Sequence, residues 1–290
     1  MTRLILAPLR GVTIRCFRET FAAEIAEAGF SEAVTPFIAA EPGFDPLKDR
    51  ELRGGPDGAL MTTPQFIGKN PDALRRCLER VKAAGYGTAD LNCGCPFPMV
   101  RNKGRGSGLL RTPDVLRNML EAGCETMGPG KFSMKARLGV DGNDELERLM
   151  PVVNDFPLRF LAVHGRVARQ MYGGVCDTAA VRRIIAASKV PVVVNGDIML
   201  GPDAAAAADE MGAVGAMVGR SFVRGLGSRT DARGLLLRYI DASRRELFGD
   251  RPVLGRIKEL VSCWKELPAW RRKWNLVKVC ASVDELLSVV

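Results

Sequence analysis

The chain has 290 residues, 47% hydrophobic and 26% charged. These ordinary globular proportions exclude a disordered chain and suffice for one large domain or two unequal ones. No apolar run approaches the ~18 residues of a membrane helix, and eight irregularly spaced cysteines are too sparse for a disulfide scaffold.

The first residues, Met1-Thr2-Arg3, lead into an apolar stretch over 4–9 that Arg10 closes. That stretch is too short for a secretory signal and reads as a buried first strand, so a cytoplasmic chain with reduced thiols is expected. Further strand-like runs follow at 65–67, 88–92, 132–137, 160–164, 191–195 and 214–218, with a weaker one at 32–34. Amphipathic stretches at 14–28, 71–84, 113–127, 144–155, 178–187 and 202–211 alternate with them. Eight strand runs alternating with crossover helices in this length predict a parallel sheet closed as a TIM (β/α)8 barrel.

After the sequence Gly225-Leu226-Gly227, which reads as a linker, the strand runs stop. Helical patterns occupy 232–248, 254–266, 269–276 and 282–290, which predicts a barrel over 1–227 and a small C-terminal helical domain over 228–290. Charge separates the two parts as well. The net +9 is uneven, and residues 224–290 carry 14 Lys and Arg against 8 Asp and Glu. Such a basic tail is either a solvated helical face or a footprint for a polyanion.

The reactive and turn-forming residues gather where each strand run ends, the face on which barrels carry active sites. Cys93-Gly94-Cys95-Pro96 follows the run at 88–92. A metal site there lacks partner ligands at the usual spacing, so no metal is expected. A loop thiol at Cys95 able to exchange a proton is the better reading. Asn195-Gly196-Asp197 and Gly219-Arg220 end neighbouring runs. Backbone amides entering a helix after a glycine suit a phosphate, although either motif alone is equally a tight turn. The single histidine, His164, rules out repeated His chemistry.

The motifs together resemble those of the bacterial tRNA-dihydrouridine synthases. The stretches that carry the likeness are Leu6-Ala-Pro-Leu-Arg-Gly-Val-Thr13 with Phe17-Arg18, Asp90-Leu-Asn-Cys-Gly-Cys-Pro96, Lys135-Ala-Arg-Leu-Gly139, Val163-His-Gly-Arg166 with Gln170 and Tyr172, Asn195-Gly-Asp197 and Met217-Val-Gly-Arg220. Arg256-Ile-Lys258 followed by Trp264 is similar to the family's helical tail.

This resemblance implies an FMN enzyme that takes electrons from NADPH or NADH and reduces uridine to 5,6-dihydrouridine in tRNA, with Cys95 as proton donor. It implies that Pro8, Leu9 and Arg10 lie against the flavin, and that Gln65 and Asn92 bond the cofactor or order the cysteine loop. Lys135 and His164 would approach the flavin ring, and Asn195, Gly196, Asp197, Gly219 and Arg220 would cradle its phosphate. Arg137, Arg166, Arg256, Lys258, Arg271, Arg272 and Lys273 would face tRNA, which a monomer suits, and no membrane is involved. Ile14, Leu9 and the run Val175-Cys176-Asp177 depart from the family's usual residues, while the Asn-Cys-Gly-Cys form and the Arg-Ile-Lys tail resemble the subfamily acting on D-loop position 16. Two rivals remain at this point: a flavin barrel acting on a small pyrimidine, and an RNA-binding protein without activity.

Overall fold

The computed structural model describes residues 3–58 and 60–290, so Met1 and Thr2 of the N-terminal reading lie outside the described residues, as does Ala59. Among the described residues, ten short strands form one sheet: β1 (Arg3–Leu6), β2 (Glu32–Val34), β3 (Ile38–Ala39), β4 (Met61–Thr63), β5 (Gln65–Ile67), β6 (Ala89–Cys93), β7 (Phe132–Gly139), β8 (Leu161–Val167), β9 (Val192–Asn195) and β10 (Gly215–Val218). All neighbours are parallel, in the order β3-β5-β6-β7-β8-β9-β10-β1-β2-β4.

The two ends of that order close on each other. β2 and β3 are one barrel strand interrupted around Pro36, and β4 and β5 are one interrupted at Pro64, because proline brings no N–H to the ladder. Across the gap the Thr35 N–H donates to Thr63 O at 3.0 Å, and the Gln65 N–H donates to Thr35 Oγ1 at 3.0 Å. The result is the eight-stranded TIM barrel that the sequence predicts.

Strand alternation sorts the side chains. Ile5, Ala7, Phe160, Ala162, Val193 and Met217 pack together with Val34 as a compact interior cluster. The alternate positions Leu91, Cys93, Met134, Ala136, Leu161 and Val163 join the larger core between barrel and helices. The same alternation sends Asp90 and Asn92 of β6, Ser133, Lys135 and Arg137 of β7, and His164 and Arg166 of β8 inward. The interior is therefore apolar over part of its depth and polar toward the strand C-terminal ends.

The helices Pro71–Ala83, Pro113–Met127, Thr178–Ala187 and Pro202–Met211 lie where expected. Two expected helices are broken. Residues 14–28 form Arg15–Thr20 and Ala22–Glu27, separated at Phe21, whose buried ring packs on Phe17 and Tyr239. Residues 144–155 form Glu145–Arg148 and Met150–Val153, since Pro151 has no N–H with which to continue one helix.

The tail is helical: Ala232–Glu246, Asp250–Ser262, Pro268–Val277 and Val283–Val289. One sequence reading needs correction here. Gly225 and Gly227 are not a linker but lie inside the helix Arg220–Ser228. A Cβ on Gly227 would sit 2.5 Å from the Trp264 ring, so glycine there lets the tail close onto the barrel. Two indole N–H groups complete the contact: Trp264 Nε1 donates to Val223 O at 2.7 Å and Trp270 Nε1 to Gly227 O at 2.8 Å. No helix among the described residues is long and apolar enough to cross a membrane.

Candidate active site

A cavity of about 250 Å3 opens at the C-terminal ends of the strands. β1 and its loop contribute Pro8, Leu9 and Arg10; Gln65, Asn92, Lys135 and His164 rise from the interior; Asn195, Gly196, Asp197, Gly219 and Arg220 close the far side. Cys95 and Arg137 line it too. The structure thus brings together every residue that the sequence proposed for the flavin, along with the candidate acid.

The Cys95 loop is bonded on all sides. Asn92 Oδ1 accepts the N–H groups of Gly94 and Cys95 at 3.1 and 2.8 Å, and Arg137 Nε donates to Gly94 O at 3.0 Å. Ser107 donates to Cys95 O from both its N–H, at 3.2 Å, and its Oγ, at 2.9 Å. Burial raises the Cys95 pKa, against the Phe97 N–H and the charges of Arg10 and Arg137, so the thiol holds its proton at neutral pH.

Lys135 is half-buried at the cavity floor, beside Asn92 in the β6–β7 register. Burial, then the Arg137 charge, brings its pKa down to about 8, with Asp90 opposing. Among the described residues its ammonium makes no ion pair. His164 is buried, and desolvation together with Lys135, Arg137, Arg166 and Arg220 holds its pKa well below the usual value, so the ring is neutral. Arg166 Nη1 lies 3.3 Å from His164 Nε2; as a guanidinium only donates, this nitrogen accepts.

The far side fits a phosphate. Gly219 precedes the helix Arg220–Ser228, whose first N–H groups have no side-chain cap. A Cβ on Gly219 would meet Ala7 Cβ at 3.0 Å and Leu9 Cδ2 at 3.2 Å; Gly196, at φ +103°, would place one 2.6 Å from His164 Cδ2 and from Cys176 Sγ. The backbone is therefore drawn in closer than any side chain permits. Asp197 Oδ2 accepts from Arg166 Nη2 at 2.5 Å, and Asp197 Oδ1 from Arg220 Nη2 at 2.9 Å. Burial alone would raise the Asp197 pKa, and these two guanidinium groups outweigh it. An uncapped helix start, arginines held beside it and an unpaired cation on the floor are a donor set suited to an anionic, planar cofactor such as FMN.

The residues expected to face tRNA fare differently. Arg166 is 2% exposed, and its donors go to Gly173 O, Gly174 O, Asp197 and Cys176 Sγ. Arg137 is equally buried, bonded to Gly94 O and Val167 O. Arg256 pairs with Glu246 at 2.5 Å. Lys258 Nζ donates to Lys278 O and Cys280 O, and Lys273 Nζ to Val290 O. Among the described residues, Arg271 and Arg272 alone of this group are exposed without a protein partner.

The sequence reading missed Pro36 and Phe37, which line the cavity where β2 is interrupted, as well as Met199, Ser221 and Arg224. Phe37 lies 5.3 Å under the Arg10 guanidinium. The one signal available was Thr35-Pro36-Phe37 following the weakest of the eight strand runs. Tyr172, half-exposed at the mouth, has Arg137 and Arg220 on its ring at 5.5 and 5.6 Å; its motif was noticed but not its place in the site.

The family model for dihydrouridine synthases matches residues 5–224. A probable tRNA-dihydrouridine synthase of Rhodobacter capsulatus is 32% identical over 221 residues, which is 75% of this chain and 66% of that protein. The tRNA-dihydrouridine synthase B of Vibrio cholerae is 30% identical over the same shares, and that of Escherichia coli K12 is 28% identical over 76% and 67%. The match spans just under two thirds of the length of the first two relatives. Among solved structures, morphinone reductase superposes with a TM-score of 0.53 at 12% identity, covering 77% of this chain and 83% of that one. That likeness supports the barrel fold alone.

Proposed function

Because the chain belongs to the dihydrouridine synthase family, we propose that it reduces uridine to 5,6-dihydrouridine in the D-loop of tRNA, with position 16 as the favoured site. FMN held in this cavity would supply the hydride for C6 of the uracil ring, with NADPH or NADH as the source of electrons. Everything else falls to side chains. Cys95 Sγ gives its proton to C5 and is reprotonated from solvent through the cavity mouth. The observation that carries the reading is the place of this thiol: on a loop bonded from both flanks, its pKa raised by burial, lining a cavity whose floor holds a lysine with no ion pair among the described residues.

Lys135, at the cavity floor, would offer a positive charge to a reduced, anionic flavin held there. Neutral His164, with Nε2 turned to Arg166, keeps its remaining hydrogen on Nδ1 as a donor. Gly196, Gly219 and the amides after Gly219 hold the phosphate, and Asp197 keeps Arg166 and Arg220 in place around it. Pro8, Leu9 and Arg10 cover one side of the cofactor.

In this reading residues 1–227 are the FMN-binding barrel, and residues 228–290 are the helices that dock tRNA, with Arg271 and Arg272 among their exposed cations. The enzyme works as a cytoplasmic monomer. A small pyrimidine would leave the basic tail without a task, so RNA is the better substrate. The test is tRNA from a strain lacking the gene: it should lack one D-loop dihydrouridine, and purified protein with FMN and NADPH should restore it. Failure of the FMN-loaded protein to form any dihydrouridine would reject the reading.

A further inference from the structure

Asp90 is fully buried in β6, and the strand alternation points it into the barrel beneath the cavity. One of its carboxylate oxygens accepts from Ser133 Oγ at 2.6 Å and the other from Gln65 Nε2 at 2.8 Å. Gln65 Oε1 in turn accepts from Asn92 Nδ2 at 2.7 Å. Asn92 Oδ1 then accepts the Gly94 and Cys95 N–H groups. An unbroken line of side-chain hydrogen bonds runs from the barrel interior to the backbone of Cys95.

The direction of this line is fixed at both ends. A backbone N–H only donates and an ionised carboxylate only accepts, while each amide between them has one donating and one accepting end. A single orientation of Gln65 and Asn92 satisfies every link. With a group at position 90 that offered no acceptor, the Gly94 and Cys95 N–H groups alone would hold the line, and the buried Gln65 Nε2 would be left a donor without its partner. Turning either amide over would set donor against donor further along the line, so the cost falls on the bonds between Asn92 and the Cys95 loop.

The carboxylate is held there at a cost. It is faced by Ser133 and Lys135 from β7, by Gln65 from β5 and by Glu32 from β2, which is itself paired with Arg159. Burial lifts its pKa to about 6, against the Ser133 and Gln65 bonds and the Lys135 charge, so it is mostly ionised at neutral pH. Apolar interior residues such as Val193 and Met217 avoid that desolvation altogether.

We infer that Asp90 is a positioning residue that sets the Cys95 loop through Gln65 and Asn92. The inference rests on the proposed role of Cys95 as the acid, but its first readout does not. In the full-length FMN-loaded protein, Asp90→Leu should raise amide exchange at Gly94 and Cys95 about tenfold, the worth of one hydrogen bond. Asp90→Asn keeps an acceptor for Gln65 and should restore protection, and Ser133→Ala should leave it unchanged. If Asp90→Leu does not fold, Gln65→Met breaks the next link and should give the same loss of protection.

In rapid mixing, Asp90→Leu should be reduced by NADPH at the wild-type rate but reoxidised by tRNA up to about 10²-fold more slowly, as for a displaced catalytic group. The double variant with Cys95→Ala should be no slower than Cys95→Ala alone. Wild-type exchange in the line-breaking variants, an Asp90→Asn protein as deprotected as Asp90→Leu, or additive losses with Cys95→Ala would each overturn the inference. Should the wild type make no dihydrouridine, the functional reading falls, and the exchange data still decide the role of Asp90.

Discussion

Cys93 and Cys95, separated only by Gly94, face opposite sides of the barrel wall. Cys93 is the last residue of β6, and its thiol is fully buried in the core between barrel and helices. Cys95 has left the strand and lines the cavity. Alternation alone would put residues two apart on one face; the chain leaves β6 after Cys93, and the turn held by Asn92 Oδ1 on the Gly94 and Cys95 N–H groups brings Cys95 to the cavity, so the pair is an internal control. Cys93→Ala should keep dihydrouridine formation within a few-fold while lowering unfolding stability by about 1 kcal/mol for the lost packing. Cys95→Ala should keep stability and lose about 10²–10⁴-fold in turnover, as expected for removal of a general acid. Denaturant titration and product analysis on the same two proteins check both halves.

The glycine cradle makes a steric prediction. At Gly196 an added Cβ would meet Cys176 and His164 at 2.6 Å in a left-handed backbone, and at Gly219 it would meet Ala7 at 3.0 Å. Gly196→Ala and Gly219→Val should both purify with far less flavin than wild type, Gly219→Val through contact with the β1 loop. Flavin absorbance per chain measures this, and a full complement in either variant would place the phosphate elsewhere.

Lys135 makes a prediction with a pH signature. In the protein stripped of flavin its pKa is about 8, below that of an exposed lysine. Between that value and about 10.4 the unfolded chain holds a proton that the folded chain has lost, so this residue makes stability rise with pH across that window. Lys135→Met should remove the rise and be the more stable protein at pH 7. With FMN bound, the same substitution should lower the flavin midpoint potential by about 30 mV or more, equivalent to 1.4 kcal/mol for two electrons. Urea midpoints from pH 7 to 10 and a redox titration test the two parts.

Of the tail cations expected to face tRNA, Arg271 and Arg272 are exposed and unpaired among the described residues. Lys273 is bonded to Val290 O and lies over the Trp270 ring, so it belongs to the tail's own packing. Arg271→Glu with Arg272→Glu should weaken tRNA binding and flatten its dependence on log salt by about one unit per lost phosphate contact. Reduction of the flavin by NADPH should be untouched. Unchanged affinity and slope would move the docking surface to another face.

The parts of this molecule that follow simple periodicity were legible in the sequence. All eight barrel strands and the order of the strand ends come from short apolar runs that end in polar or glycine-containing turns, whereas the residues proposed for the flavin came from the family resemblance. What stayed hidden depends on contacts between distant segments. Pro36 and Pro64 split two strands, so Phe37 was not recognised as part of the cavity. Gly225 and Gly227 looked like a linker because a glycine that admits a tryptophan ring has the same local signature as a flexible joint. Arg166, Arg256, Lys258 and Lys273 read as surface cations, and their acceptors are backbone carbonyls and carboxylates that no spacing reveals. Asp90 passed as one residue of a motif because its partners Gln65 and Ser133 lie on other strands.

A single-turnover experiment with protein whose FMN has been reduced beforehand tests Cys95 as the proton donor. Mixed with tRNA from a strain lacking the gene, the wild type should reoxidise and form about one dihydrouridine per flavin. Cys95→Ala should bind the same tRNA with wild-type affinity, remain reduced over that time and form no dihydrouridine. Reoxidation of Cys95→Ala at the wild-type rate, with dihydrouridine appearing, would contradict the assignment of Cys95 as the proton donor.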